Sequence, residues 1–219
     1  MRERYINNGL DGFSAHEVLE LLLFYSRRQG DTNPAAHRLI QEYGSLAQIF
    51  DADREDLMKI EGIGEESAIL LKLIPDICRR YLTERFKDGT RFKSHDEIGE
   101  FFRDLYTGVN EEIIYALFLD NSAKKLRLAE ISRGTFGAVT LDTRRIVETA
   151  MRMQATSVIL AHNHPKGFAL PSSADVDSTR ELYKTLKGVD IRLDDHIVVG
   201  ADDHVSMRLS AGLEAIFKN

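Results

Sequence analysis

The stretch Thr156-Ser157-Val158-Ile159-Leu160-Ala161-His162-Asn163-His164-Pro165 decides how this chain is read. Its opening apolar run predicts a buried strand. Residues two apart on a strand share a face, so His162 and His164 aim two imidazoles at one point. After a Pro-containing loop comes Ser172-Ser173-Ala174-Asp175. Ser172 reads as the N-cap of the next helix, with Asp175 three residues on in a capping-box pattern. That puts the Asp175 carboxylate in the first helical turn. Two imidazoles, one carboxylate and one position left open are how a catalytic zinc is held. A plain structural reading stands beside this one: two hydrogen-bonded histidines at a strand end, followed by an ordinary cap. The two are compatible, because a cap holds rigid the turn that a metal ligand needs.

Working outward, a strand precedes this run from Glu111 to Asp120, and Asn121 to Lys124 turn it back into a second strand from Leu126 to Ser132. A helix is predicted from Thr143 to Gln154 and another from Ser172 to Lys187. Strands follow at Asp190–Val199 and His204–Arg208, split by a Gly200-Ala201-Asp202-Asp203 turn. Strands interleaved with helices make this half an α/β domain with a mixed sheet. Residues up to about Phe86 read instead as helices. Ser14 and Glu17 form a capping-box pattern, Asn33-Pro34 opens a helix that Gly44 closes, and Asp53 caps a short one. Ile60-Glu61-Gly62-Ile63-Gly64 is a tight turn, and Ile74-Pro75 is expected to break the helix that follows. The polar segment Lys87-Asp88-Gly89-Thr90 is the expected linker. The division is therefore 1–88, all-α, and 92–219, α/β.

Composition bounds the function. The chain has 219 residues, 43% hydrophobic and 29% charged, as ordinary globular proteins do. No apolar run approaches the roughly 20 residues of a membrane span, and the first residues lack the apolar stretch of a signal peptide. Cys78 is the one cysteine, which excludes an internal disulfide and a cysteine-rich zinc site. A cytoplasmic location is expected. Net charge is −6, with 12 basic and 16 acidic residues up to Asp88 and 17 and 19 beyond it. Neither half has the basic excess of a general phosphate-backbone binder.

Hydrolysis at such a site also needs a base for the attacking water. Glu130 is the candidate, late in the second strand and just before Arg133-Gly134-Thr135. Simple alternation would put it on one face with Leu126 and Leu128, partly buried rather than freely solvated. The bland alternative is a solvent-facing strand residue.

His162-x-His164-Pro165 with Ser172, Asp175 and an upstream Glu130 resembles the JAMM motif of the JAB/MPN metalloenzymes. The whole chain resembles the RadC family more closely, through Ala161 to Pro165, Arg133-Gly134-Thr135, Asp195-His196-Ile197-Val198-Val199-Gly200 and the N-terminal helices around Gly62-Ile63-Gly64. The resemblance implies a cytidine-deaminase-like α/β fold from about residue 92. It implies Zn²⁺ held by His162, His164 and Asp175, Glu130 as general acid and base, and Ser172 as hydrogen-bond donor to the oxyanion of a tetrahedral intermediate. It implies cleavage of peptide or isopeptide bonds, hence a peptide or protein substrate. His196 would orient a ligand or line the cleft.

The N-terminal half resembles a helix-hairpin-helix module, whose Gly-x-Gly turn offers backbone N–H groups to a phosphate. That resemblance supplies the alternative function, a DNA-associated repair or recombination accessory protein. Glu65 and Glu66 follow the turn directly, however, and would repel a phosphate while suiting the positive end of the next helix.

Overall fold

The computed structural model describes residues 1–26, 30–134, 141–165, 167–201 and 203–218. Thr135 of the Arg133-Gly134-Thr135 stretch and Asp202 of the last turn lie outside them. The chain divides into two compact units, Met1–Cys78 and Arg79–Asn219.

The first unit is helical: α1 (Arg2–Asn8), α2 (Ala15–Ser26), α3 (Asn33–Tyr43), α4 (Leu46–Asp51), α5 (Arg54–Leu57) and the start of α6 (Glu65–Glu84). The caps fall where the residue types demand. Glu17 accepts from the Ser14 N–H, Pro34 stands in the first turn of α3, and Gly44 ends that helix at φ 81°. Leu19, Leu23, Leu39, Ile49, Leu57 and Leu71 form its core. One expectation is corrected here. Pro75 does not interrupt α6, which runs through it. Pro75 is itself buried, as are Ser67, Ala68 and Leu71 on the preceding turns. Burying that face offsets the local cost of one missing N–H.

The second unit holds α7 (His95–Leu105), β1 (Glu112–Leu119), β2 (Lys125–Gly134), α8 (Thr143–Arg152), β3 (Ser157–Asn163), α9 (Ser173–Lys187), β4 (Arg192–Val199), β5 (His204–Ser206) and a 3₁₀ turn at Glu214–Phe217. The expected linker is part of it: Gly89 N–H donates to Lys125 O, and Lys125 N–H donates to Thr90 O. The sheet order is β2-β1-β3-β4-β5. Among the described residues, only the β3–β4 pair is parallel; the other three are antiparallel. This is a mixed five-stranded sheet flanked by helices, as the resemblance implies for this half.

β3 is central and buried along its whole length. Two apolar layers cover the sheet. On one face, Ile146 and Ala150 of α8 and Leu182 and Leu186 of α9 pack over Ala116, Val158, Leu160 and Val198. On the other, Phe101, Phe102 and Leu105 of α7 pack over Ile113, Leu117, Ile159 and Ile197. No helix among the described residues is long and apolar enough to cross a membrane.

Candidate metal centre

His162 ends the apolar run of β3 and points to the α8/α9 face, alternating with Leu160 and Val158 of that layer. His164 lies one pleat further, its N–H still donating to Val199 O of the parallel neighbour at 2.7 Å. α9 begins over the same edge. Ser172 caps it in a complete capping box: its Oγ accepts from Asp175 N–H, and Asp175 Oδ2 accepts from Ser172 N–H. The cap turns Asp175 Oδ1 toward His162 Nε2, 3.3 Å away. The two Nε2 atoms stand 3.0 Å apart, and His164 Nε2 is 4.0 Å from Asp175 Oδ2. Ligand atoms of a tetrahedral zinc, each about 2.0–2.1 Å from the ion, are roughly 3.3 Å from one another. The three side chains thus fall together among the described residues as a possible metal-holding group.

The donor chemistry fits a cation. His164 Nδ1 lies 3.1 Å from Phe168 O, and a carbonyl can only accept, so that nitrogen carries the ring proton. His164 Nε2 is then an acceptor. So is the Asp175 carboxylate, whose ionised form holds well below the usual range: burial opposes ionisation, but the His162 ring and the Ser172 bonds outweigh it. A proton on His162 Nε2, or a metal ion in its place, holds these atoms together. The loop that brings Phe168 O to His164 owes its place to Gly200, where a Cβ would meet Ala169 N at 2.5 Å. A side chain there would push the loop away.

A cavity of about 310 Å³ opens beside the cluster, with Ile114, Leu160, Thr143, Ser178 and Glu181 on its wall. Behind the cluster, His196 is buried, its Nε2 2.7 Å from His162 Nδ1 and its Nδ1 2.6 Å from Thr179 Oγ1. Burial first, and the neighbouring His162 second, hold it well below the ordinary histidine range.

One expected role is revised by the geometry. Glu130 is not brought to the cluster. It pairs with Tyr115, which pairs in turn with Ala161, and paired residues share a face, the one opposite His162. There it accepts from Tyr115 Oη at 3.3 Å and is held by Arg133 at 2.9 Å. The Arg133 guanidinium keeps its carboxyl below the usual range. The alternation that grouped it with Leu126 and Leu128 holds for Leu128 and fails for Leu126, which a register shift next to Lys125 moves to the other face. Leu126 packs on the α8/α9 side and Leu128 on the α7 side. Ser172 is brought to the cluster, where its hydroxyl donates to Asp175 Oδ2 at 2.6 Å.

Glu112 is an acid on the histidine face of the sheet. Ile114 pairs with His162, and Glu112 lies two residues before Ile114 on the same strand, hence one pleat further on the same face. Asn163, between the histidines, fixes this register. Its Oδ1 accepts from Ile113 N–H at 2.8 Å and its Nδ2 donates to Glu111 O at 2.9 Å, gripping the backbone on both sides of Glu112. The signal for Glu112 was weak in the sequence: an acid opening an apolar strand, with nothing local to say which strand lay beside it.

A family model described as the RadC-like JAB domain matches residues 92–213. The chain belongs to the RadC family. A second family model, the UPF0758 N-terminal model, matches residues 1–69. The candidate metal cluster falls wholly inside the RadC-like JAB domain, on the C-terminal end of its central strand.

Proposed function

We propose that this RadC-family chain is a zinc-dependent hydrolase of amide bonds, a peptidase or isopeptidase. The observation that carries the reading is the convergence of His162 Nε2, His164 Nε2 and the Asp175 carboxylate beside an open cavity, with Glu112 on the same face. His162, His164 and Asp175 would hold the ion. A bound zinc lowers the pKa of a coordinated water to about 7 and polarises a carbonyl. Glu112 would take the proton of the attacking water and pass it to the leaving amine nitrogen. Ser172 would turn its hydroxyl from Asp175 to the carbonyl oxygen as negative charge develops there. Phe168 and Leu170, 90% and 72% exposed on the loop between the ligands, offer apolar contacts to an extended peptide.

The test is elemental analysis of the purified chain together with a peptide-library cleavage screen, before and after chelation. The expected result is one zinc per chain, with cleavage abolished by the chelator and restored by added zinc. Cleavage that survives complete metal removal would refute the proposal. DNA association through the turn at Gly62 to Gly64 draws no support from the local charge. Glu61, Glu65 and Glu66 surround that turn, and two of them pair with Arg38 and Arg54. A DNA titration across a salt series, run in parallel, is expected to show weak binding that salt barely changes.

A further inference from the structure

We infer that Thr179 and His196 form a one-way hydrogen-bond relay that dictates which nitrogen of His162 faces the metal site bare, making both of them positioning residues for that ligand. The inference rests on the metal reading of the site above.

The argument is a count of protons. Thr179 Oγ1 lies 2.5 Å from the main-chain carbonyl of Asp175, one helical turn earlier. A carbonyl can only accept, so the single hydroxyl proton of Thr179 goes there. Thr179 Oγ1 must then accept from its other neighbour, His196 Nδ1, at 2.6 Å. His196 is 1% exposed and its ring nitrogens meet an imidazole and a hydroxyl. With an ion on His162 Nε2, that ring keeps its proton on Nδ1, 2.7 Å from His196 Nε2, and must donate it there. His196 Nε2 then accepts while its Nδ1 donates to Thr179, so both ends of the chain demand the same sense and leave His162 Nε2 as a lone pair toward His164 and Asp175.

The direction matters because the reverse relay would place a proton on His162 Nε2, the atom meant for the ion, and binding would have to expel it. One backbone carbonyl sets the sense of the whole chain. That carbonyl belongs to Asp175, itself a candidate ligand, so the relay also ties the α9 ligand to the β3 ligand through buried atoms of β4. Partners of this kind fix the tautomer and orientation of a ligating histidine, and their loss typically weakens metal binding about 10–100-fold.

The experiment measures zinc affinity by competition with a chromophoric chelator for the full chain and for Thr179→Val, His196→Phe and His196→Gln. It is paired with long-range proton–nitrogen NMR of the wild-type imidazoles in the metal-free and zinc-loaded states. Thr179→Val and His196→Phe are expected to bind zinc about 10–100-fold more weakly. His196→Gln, whose amide oxygen can accept from His162 Nδ1, is expected to recover most of that loss. The NMR spectrum is expected to show His196 protonated on Nδ1 in both states. A proton on His196 Nε2, or wild-type zinc affinity in Thr179→Val, would overturn the inference and leave the hydrolase reading untouched. Zinc binding that follows the expected order without any peptide cleavage would sink the hydrolase reading and leave the relay standing. A wild-type chain that takes up no zinc would overturn both.

Discussion

The two faces of the β-sheet are built to different ends. The α7 face is an aromatic layer in which Phe101, Phe102 and Phe92 pack over Ile113, Leu117 and Ile159. Its acid, Glu130, sits at the sheet edge on β2 and is tied to Arg133 and Tyr115. The α8/α9 face has an apolar layer of its own, but a line of polar groups crosses it: Asp175, Thr179, His196, His162. Each member is partnered, and the line ends on acceptor atoms beside a cavity. Burying unpartnered polar groups costs several kcal/mol each. A fold keeps such a line only when every link is satisfied, and this one ends on side chains that could hold a cation. One face holds the sheet together, and the other carries the candidate site.

That contrast can be broken most decisively at the ligands. His162→Ala or Asp175→Ala is expected to lower zinc content from one per chain to near zero by elemental analysis, with the far-ultraviolet circular dichroism retained. Undiminished zinc would dissolve the distinction between the faces. Next comes the pair of acids. Glu112→Gln is expected to keep zinc and lose about 10²–10⁴-fold in turnover, the usual worth of a general base. Glu130→Gln is expected to stay within a few-fold of wild type. If the two variants exchange these outcomes in a cleavage assay, the base works from the α7 side and the register argument fails.

The aromatic layer predicts a different kind of damage. Phe101→Ala removes a fully buried ring and is expected to cost about 3–5 kcal/mol in a urea titration. Zinc affinity of the folded molecules should not change. A matching loss of affinity would mean that the two faces are not independent. Smallest is Ser172→Ala, which deletes the α9 cap. About 1 kcal/mol of stability should be lost, with weaker zinc binding because Asp175 loses the hydroxyl that orients it. A stability change with no change in zinc affinity would reduce Ser172 to a cap alone.

The cluster was legible because its cues are local. Period-2 alternation brings His162 and His164 to one side, and a capping box places Asp175 in the first turn. Glu130 was misplaced because alternation groups residues along one strand but does not say which side of the sheet they take: it does share a face with Leu128, and pairing through Tyr115 makes that the face away from His162. Leu126, which a register shift throws out of step, took the other face. Pro75 was misread for a related reason, since the rule that proline ends helices weighs local sterics and omits what the helix face buries.

By itself the sequence determined the fold class, the element order and the convergence of His162, His164 and Asp175, because strand alternation, caps and turns act within a few residues of chain. Only the tertiary structure decided that Glu112 shares the histidine face, that Asn163 grips the strand on both sides of it, and that His196 stands behind His162. Those choices depend on which strands lie side by side and in what register. Pairing of that kind is set by burial across the whole sheet, between residues up to 52 positions apart, as Asn163 and Glu111 are.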